Sequence, residues 1–209
     1  MELCLTKKKT ISRVITITIT VTVFFTIVNM SCSQNRTYLT QQEKAWNPYK
    51  GAQVLVFEAV NGRTDTLEIT RVEDKQFPDG LGALQNERLR VLVRISNLKV
   101  SKRPIEVMLL YIYSKTAQYS SNIDFELFLA DGRFWGRGYS IDELESYAEF
   151  SVQTQNGIFD DVIRIDDNSN QALRDNDIAT IYWSKSVGYV KCIMKDGTTW
   201  ELINIIEGS

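Results

Sequence analysis

Histidine is absent from all 209 residues of this chain. That removes Ser-His-Asp and Cys-His nucleophile systems, histidine-ligated zinc and histidine-held haem. Cysteine is scarce too, with Cys4, Cys32 and Cys192 the whole complement. No CxxC pair and no glycine-rich phosphate loop occurs. A net charge of −2 offers no basic field for nucleic acid. There is no fixed-period repeat, and strands do not alternate with helices, so a parallel sheet is not expected. Catalysis without histidine would fall to paired carboxylates or a Ser-Lys arrangement. No cofactor is expected.

Between Val14 and Asn35 there is no charge at all. Ile15, Ile17, Ile19, Val21 and Val23 alternate with Thr16, Thr18, Thr20 and Thr22, the period of a half-buried strand. However, Lys7, Lys8, Lys9 and Arg13 precede an apolar run from Val14 to Val28, which is the order of a secretory signal. Threonine is tolerated in such a run because its hydroxyl can bond back to a carbonyl of the preceding turn. Ser31, Cys32 and the polar Ser33, Gln34 and Asn35 follow. This junction resembles the lipobox of bacterial lipoproteins, in which the cysteine becomes the lipidated first residue. Asn29 and Met30 stand where that pattern usually has leucine and a small residue. An uncleaved signal-anchor and secretion without lipid are the alternatives.

Residues 1–31 are expected to be a lipoprotein signal peptide, 32–50 a tether and domain entry whose Trp46 and Tyr49 cover one end of the barrel or sandwich, and 51–209 the β domain. Four cations and one anion leave with residues 1–31, which turns a net charge of −2 into −5. With Cys32 lipidated, Cys192 has no partner, so the core holds the domain together without a disulfide.

From Ala52 onward the pattern is strand after strand. "AQVLVFEAV" and "RTDTLEITRV" flank Asn61-Gly62, a signal for a type I′ hairpin turn. "RLRVLVRI" turns Leu89, Val91, Val93 and Ile95 inward, beside Leu67, Ile69, Phe125, Leu127, Trp200 and Leu202. "PIEVMLLYIY" is apolar on both faces and is expected to lie centrally or under cover. "SIDELES" is the one helical hint, with Ser140 as N-cap and Glu143 completing a capping box. Asp131-Gly132, Asn156-Gly157 and Asp196-Gly197 mark further turns. The fold class is all-β: a single antiparallel barrel or sandwich of about ten strands with one short helix.

The stretch "YWSKSVGYVKCIMKDGTTWELI" resembles the closing hairpin of envelope lipoproteins from Bacteroidota. Gly188, Tyr189, Val190, Lys191, Asp196, Gly197, Trp200, Glu201 and Leu202 carry the match, and "YLTQQEKAWNPYKGAQVLVFE" is similar to their mature N-termini. The resemblance implies an envelope β domain and brings no activity with it.

Several candidate sites stand out. Trp135 and Tyr139 in "FWGRGY" could stack on a ligand or fill a core. Asp166, Asn168, Asn170 and Asp177 have the spacing of a calcium loop, although Gln171 stands where glycine is wanted. Arg88, Arg90, Arg94, Lys99, Lys102 and Arg103 form a basic strip that could meet anionic lipid or simply shield a sheet face. Asp160 and Asp161 point to opposite faces and cannot flank one bond. Cys192 packs as a small apolar residue, and Asp65-Thr66-Leu67 resembles a short O-glycosylation signal of that phylum.

Two functions compete. One is a non-catalytic envelope lipoprotein, membrane-anchored through Cys32, facing the periplasm and binding a lipid, glycan or envelope protein. The other is a carboxylate-dependent envelope glycan hydrolase, which needs two carboxylates converging in one pocket. The anchor is testable on its own. Cys32→Ala should lose both alkynyl fatty-acid labelling and salt-resistant membrane association; retention in the membrane would make residues 14–31 an anchor helix.

Overall fold

The structure, a computed structural model, describes residues 35–79, 84–95, 105–114, 120–169 and 172–208. The signal segment, Cys32, Lys99, Lys102, Arg103 and Asn170 lie outside the described residues. Twelve strands and two short helices occur among those described: β1 (Asn35–Thr37), α1 (Gln41–Lys44), β2 (Gln53–Ala59), β3 (Thr64–Asp79), β4 (Leu84–Ile95), β5 (Ile105–Tyr113), β6 (Asn122–Leu129), β7 (Gly132–Ser140), α2 (Ile141–Leu144), β8 (Phe150–Thr154), β9 (Gly157–Asp166), β10 (Ile178–Ser184), β11 (Gly188–Met194) and β12 (Thr199–Glu207). The fold is all-β, as the alternation and turn signals predict.

The strands form one antiparallel sheet in the order β7-β6-β5-β4-β3-β2-β12-β11-β10-β9-β8, with β1 added to β4. Chain order explains the path. β2 to β7 meander outward, α2 carries the chain to the far end, and β8 to β12 meander back. The two meanders meet where β12 pairs with β2, from Trp200 opposite Ala59 to Glu207 opposite Gln53. The sheet curls, so that Phe125 on β6 lies edge-on to Trp183 on β10, with ring centroids 4.9 Å apart.

The inward set is as the alternation requires. Leu89, Val91, Val93, Ile95, Leu67, Ile69, Phe125, Leu127, Trp200 and Leu202 are buried in a single cluster. Each such side chain contributes about 1.5–3 kcal/mol by leaving water. Leu109 and Leu110 are both fully buried, in keeping with the two apolar faces of β5. A second, smaller cluster of Val152, Val162 and Val190 packs with Phe159, Tyr182 and Val187.

Two local expectations need correction. At Asn61-Gly62 only Gly62 takes positive φ, at 80°. The Ala59 N–H bonds the Arg63 carbonyl and the Gly62 N–H bonds the Ala59 carbonyl, each at 2.8 Å, so the loop has three residues and a glycine bulge. The turn with two left-handed residues lies instead at Ala130 and Asp131, φ 51° and 68°. There the Asp65 carboxylate accepts the Ala130 N–H at 2.8 Å, which offsets part of the left-handed cost.

α2 forms where expected, but its capping box does not: the Ser140 side chain makes no cap bond. Ser140 still belongs to β7 and pairs with Asn122, while burial of Ile141 and Leu144 fixes the helix. A complete capping box occurs at α1, between Thr40 and Glu43.

Within the stretch read as tether and domain entry, the compact body begins at Arg36. Leu39, Trp46 and Tyr49 are buried in the main cluster. Glu87 accepts the Leu39 N–H at 2.7 Å and the Lys44 ammonium at 2.5 Å. The Tyr49 hydroxyl accepts the Tyr189 N–H at 2.9 Å and lies against Gly188, where a Cβ would run into it.

Gly188 and Gly138 separate this collision from backbone strain. Both have left-handed φ, +95° and +68°, but a Cβ at Gly138 meets nothing within 4 Å. Replacement by alanine in that region costs about 1–2 kcal/mol, and each kcal/mol lowers Tm by roughly 2–4 °C in a chain of this size. Gly138→Ala should therefore lose a few degrees and Gly188→Ala clearly more in thermal melts. Equal losses would mean that Tyr49 is not seated on Gly188.

Candidate functional site

β7 turns Phe134 inward and sets Arg133, Trp135 and Arg137 at every second position of its outer face. The two guanidinium carbons lie 4.1 and 4.4 Å from the Trp135 ring centroid. Stacking of this kind contributes about 0.5–1 kcal/mol where exposed and more where desolvated. Beside the ring is an open cleft of about 230 Å³ lined by Trp135, Arg137, Asn168 and Ser169. The indole Nε1 is buried and has no acceptor among the described residues.

One wall comes from the segment after β9. Asn168 accepts the Arg137 N–H on Oδ1 at 3.0 Å and donates Nδ2 to the Arg137 carbonyl at 2.8 Å. Its amide therefore imitates one rung of a neighbouring strand on the edge of β7. Asp167 fixes the segment by accepting the Ser169 N–H at 2.8 Å. An edge covered in this way does not recruit another strand.

Arg137 is held from β6. Its guanidinium contacts Glu126 at 2.6 Å and Asp124 at 3.8 Å, and Asp124 also accepts the Gly138 N–H at 2.7 Å. Asp124 and Glu126 are buried although they point outward. Burial raises the pKa of both, with Arg137 pulling each part of the way back. On the neighbouring β5, burial and the Asp124 charge push the Tyr113 hydroxyl up to about 12.

No family model matches the chain, and no curated protein or solved structure matches it. The site is therefore read from its own chemistry.

Of the residues singled out in the sequence, Trp135 lines the cleft and Asn168 walls it. Tyr139 is buried, donates its hydroxyl to the Asp166 carbonyl at 2.6 Å and packs on Phe125. Among the described calcium candidates, Asp166 and Asp177 have other partners. Asp166 accepts from Arg164 and Thr180, and Asp177 is gripped by Arg174 at 2.8 Å. Among the described residues no cluster of three or more acidic or cysteine side chains could hold a metal ion. Of the basic strip, Arg94 pairs with Glu68, and Arg88 and Arg90 lie over the Tyr111 ring. Asp161 accepts from Ser184 and Ser186, whereas Asp160 accepts from Ser151. Cys192 is buried, which pushes its thiol pKa up.

Sequence reasoning passed over Arg137, Asp124 and Glu126. The signal was present in "IDFELFLA", where acids alternate with the inward Ile123, Phe125 and Leu127. Two carboxylates two residues apart on a strand share a face and sit about 7 Å apart.

The acid pair makes stability depend on pH in a defined direction. Its pKa values are raised, so the folded chain holds extra protons just above the usual carboxylate range of about 4. The pair's contribution is full below that range and is lost as pH rises through the raised values. Asp177, lowered by Arg174, and Asp161, lowered by Ser184 and Ser186 against its burial, act oppositely. Their contribution is full above the usual range and lost as pH falls through their folded values. Melts across pH should show Tm rising as pH falls from neutral toward the carboxylate range, then dropping. Asp124→Asn with Glu126→Gln should flatten the rise and leave the acid drop.

Proposed function

We propose that this chain is a non-catalytic binding module of a bacterial envelope, held to the membrane by lipid on Cys32, and that the Trp135 cleft takes a glycan. The observation that carries the reading is the meeting of an indole ring, guanidinium donors and a serine in one open cleft. A saccharide offers what this lining accepts: C–H faces for the ring and hydroxyl oxygens for the donors. At about 230 Å³ the cleft is smaller than a drug-sized pocket, and suits one sugar unit of a longer chain. An acyl chain finds less support, because Phe125, Trp183 and Tyr189 fill the inside of the curl. The signal segment and the Ser31-Cys32 junction support the envelope location, with the periplasmic side preferred.

The hydrolase reading draws on one observation, the shared face of Asp124 and Glu126. Against it, both acids hold Arg137, and the cleft is lined by Trp135, Arg137, Asn168 and Ser169 instead.

Trp135→Ala tests the binding reading. It should keep Tm nearly unchanged, because the ring stands on the outer face, and abolish retention of envelope glycans on the immobilised protein. A fall in Tm without loss of retention would make Trp135 a packing residue. Release of shortened glycan by the wild type, lost in Glu126→Gln, would favour the hydrolase.

A further inference from the structure

The folded body starts closer to Cys32 than the sequence suggests. Only Ser33, Gln34 and Asn35 separate Cys32 from Arg36, where the body begins. Four Cα steps at about 3.3–3.6 Å each reach at most roughly 14 Å. β1 is also fastened in place. The Thr37 carbonyl accepts from Gln76 at 3.4 Å, and its hydroxyl lies 2.8 Å from Asn86 and 2.7 Å from Ser114. These contacts put Arg36 at the end of the sheet formed by the later part of β3, the start of β4 and the end of β5.

We infer that this end of the sheet lies against the lipid headgroups, with Tyr38 and Arg36 seated in the interfacial layer. The inference rests on lipidation of Cys32. A lipid-bearing cysteine sits at the membrane surface, and a reach of at most roughly 14 Å keeps Arg36 within about 10 Å of the outer edge of a headgroup layer about 5–7 Å deep.

The side chains at this end suit that layer. Tyr38 is 60 % exposed, although it is aromatic and next to the buried Leu39. An aromatic ring with a polar tip is the side chain that membrane interfaces take up. Arg36 is exposed two residues before it, and Arg88 and Arg90 follow on the outer face of β4, over Tyr111. Three acids here are in contact with three cations: Lys44 contacts Asp74 at 2.7 Å and Glu87, and Lys75 and Arg71 contact Glu73 at 3.2 and 3.4 Å. Anionic headgroups therefore meet little uncompensated negative charge.

The opposite end provides a control. Val60, 84 % exposed, lies in the loop before β3. Twelve residue steps along β3 separate Thr64 from Gln76, about 40 Å at strand rise. One end of the domain touches the bilayer and the other cannot.

The test uses the full mature lipoprotein, purified with its lipid and reconstituted in phosphatidylethanolamine–phosphatidylglycerol vesicles. Cys192 is buried, so Tyr38→Cys or Val60→Cys supplies the one accessible thiol for a fluorophore. Nitroxide-labelled lipids should quench most of the emission at position 38 and leave position 60 unchanged. A Gly-Ser repeat inserted after Gln34 should restore much of the emission at position 38. Mass analysis of Cys32 separates the two ways of failing. An acylated Cys32 with no quenching at position 38 overturns the apposition alone. An unmodified Cys32 overturns the anchor and the apposition together.

Discussion

The aromatic contact across the curl is the interaction on which the other features depend. Trp183 has three edge-to-face partners: Phe125 from β6, Tyr189 from β11 and Tyr49 from the N-terminal segment. Each such pair contributes about 0.5–1.5 kcal/mol beyond the area it buries. The Trp183 indole N–H is buried without an acceptor among the described residues, at a cost of about 1–3 kcal/mol that these pairs offset. Phe125 belongs to one meander and Trp183 to the other, so their contact holds the sheet curled. The Tyr139 hydroxyl can then reach the Asp166 carbonyl, and the segment after β9 can reach the edge of β7. Without the curl there is no cleft.

The architecture follows from local signals because alternation acts along each strand separately. In "RLRVLVRI" the period alone sorts Leu89, Val91, Val93 and Ile95 from the arginines, and the structure buries all four. The seam between β2 and β12 has no such local mark. It joins segments about 145 residues apart in sequence, and nothing in "AQVLVFEAV" names its partner. The N-terminal segment is legible only in part for a related reason. In "YLTQQEKAWNPYK" the aromatics Trp46 and Tyr49 can be read as a cover for one end of the domain, whereas Leu39 meets a surface that exists only after the sheet curls.

The candidate site was legible in part. Trp135 between arginines could be noticed in "RFWGRGY", but its neighbour Tyr139 shares the same letters and goes to the core. What separates them is the register shift between Ile123 and Phe125 opposite β7, which changes the face that Tyr139 presents. The acidic segment at Asp166 shows the opposite difficulty. Its composition matches a cation loop, yet Asn168 bonds backbone and Asp177 bonds arginine. Carboxylates and amides satisfy a strand edge as readily as an ion, and composition alone does not separate the two uses.

An open curled sheet has two ends, and each must avoid pairing with another molecule. β8 does so by being short, with five residues. β7 has nine and needs cover, which Asn168 supplies by bonding both backbone groups of Arg137. The same two residues line the cleft beside Trp135. Arg137 therefore has its backbone fixed by an edge-covering amide and its guanidinium fixed by buried acids on β6. A side chain held at both ends loses little further freedom when a ligand arrives, and ordering such a side chain otherwise costs about 0.5–1.5 kcal/mol. Protection of the sheet edge and preparation of the binding surface are, in this fold, one arrangement of residues.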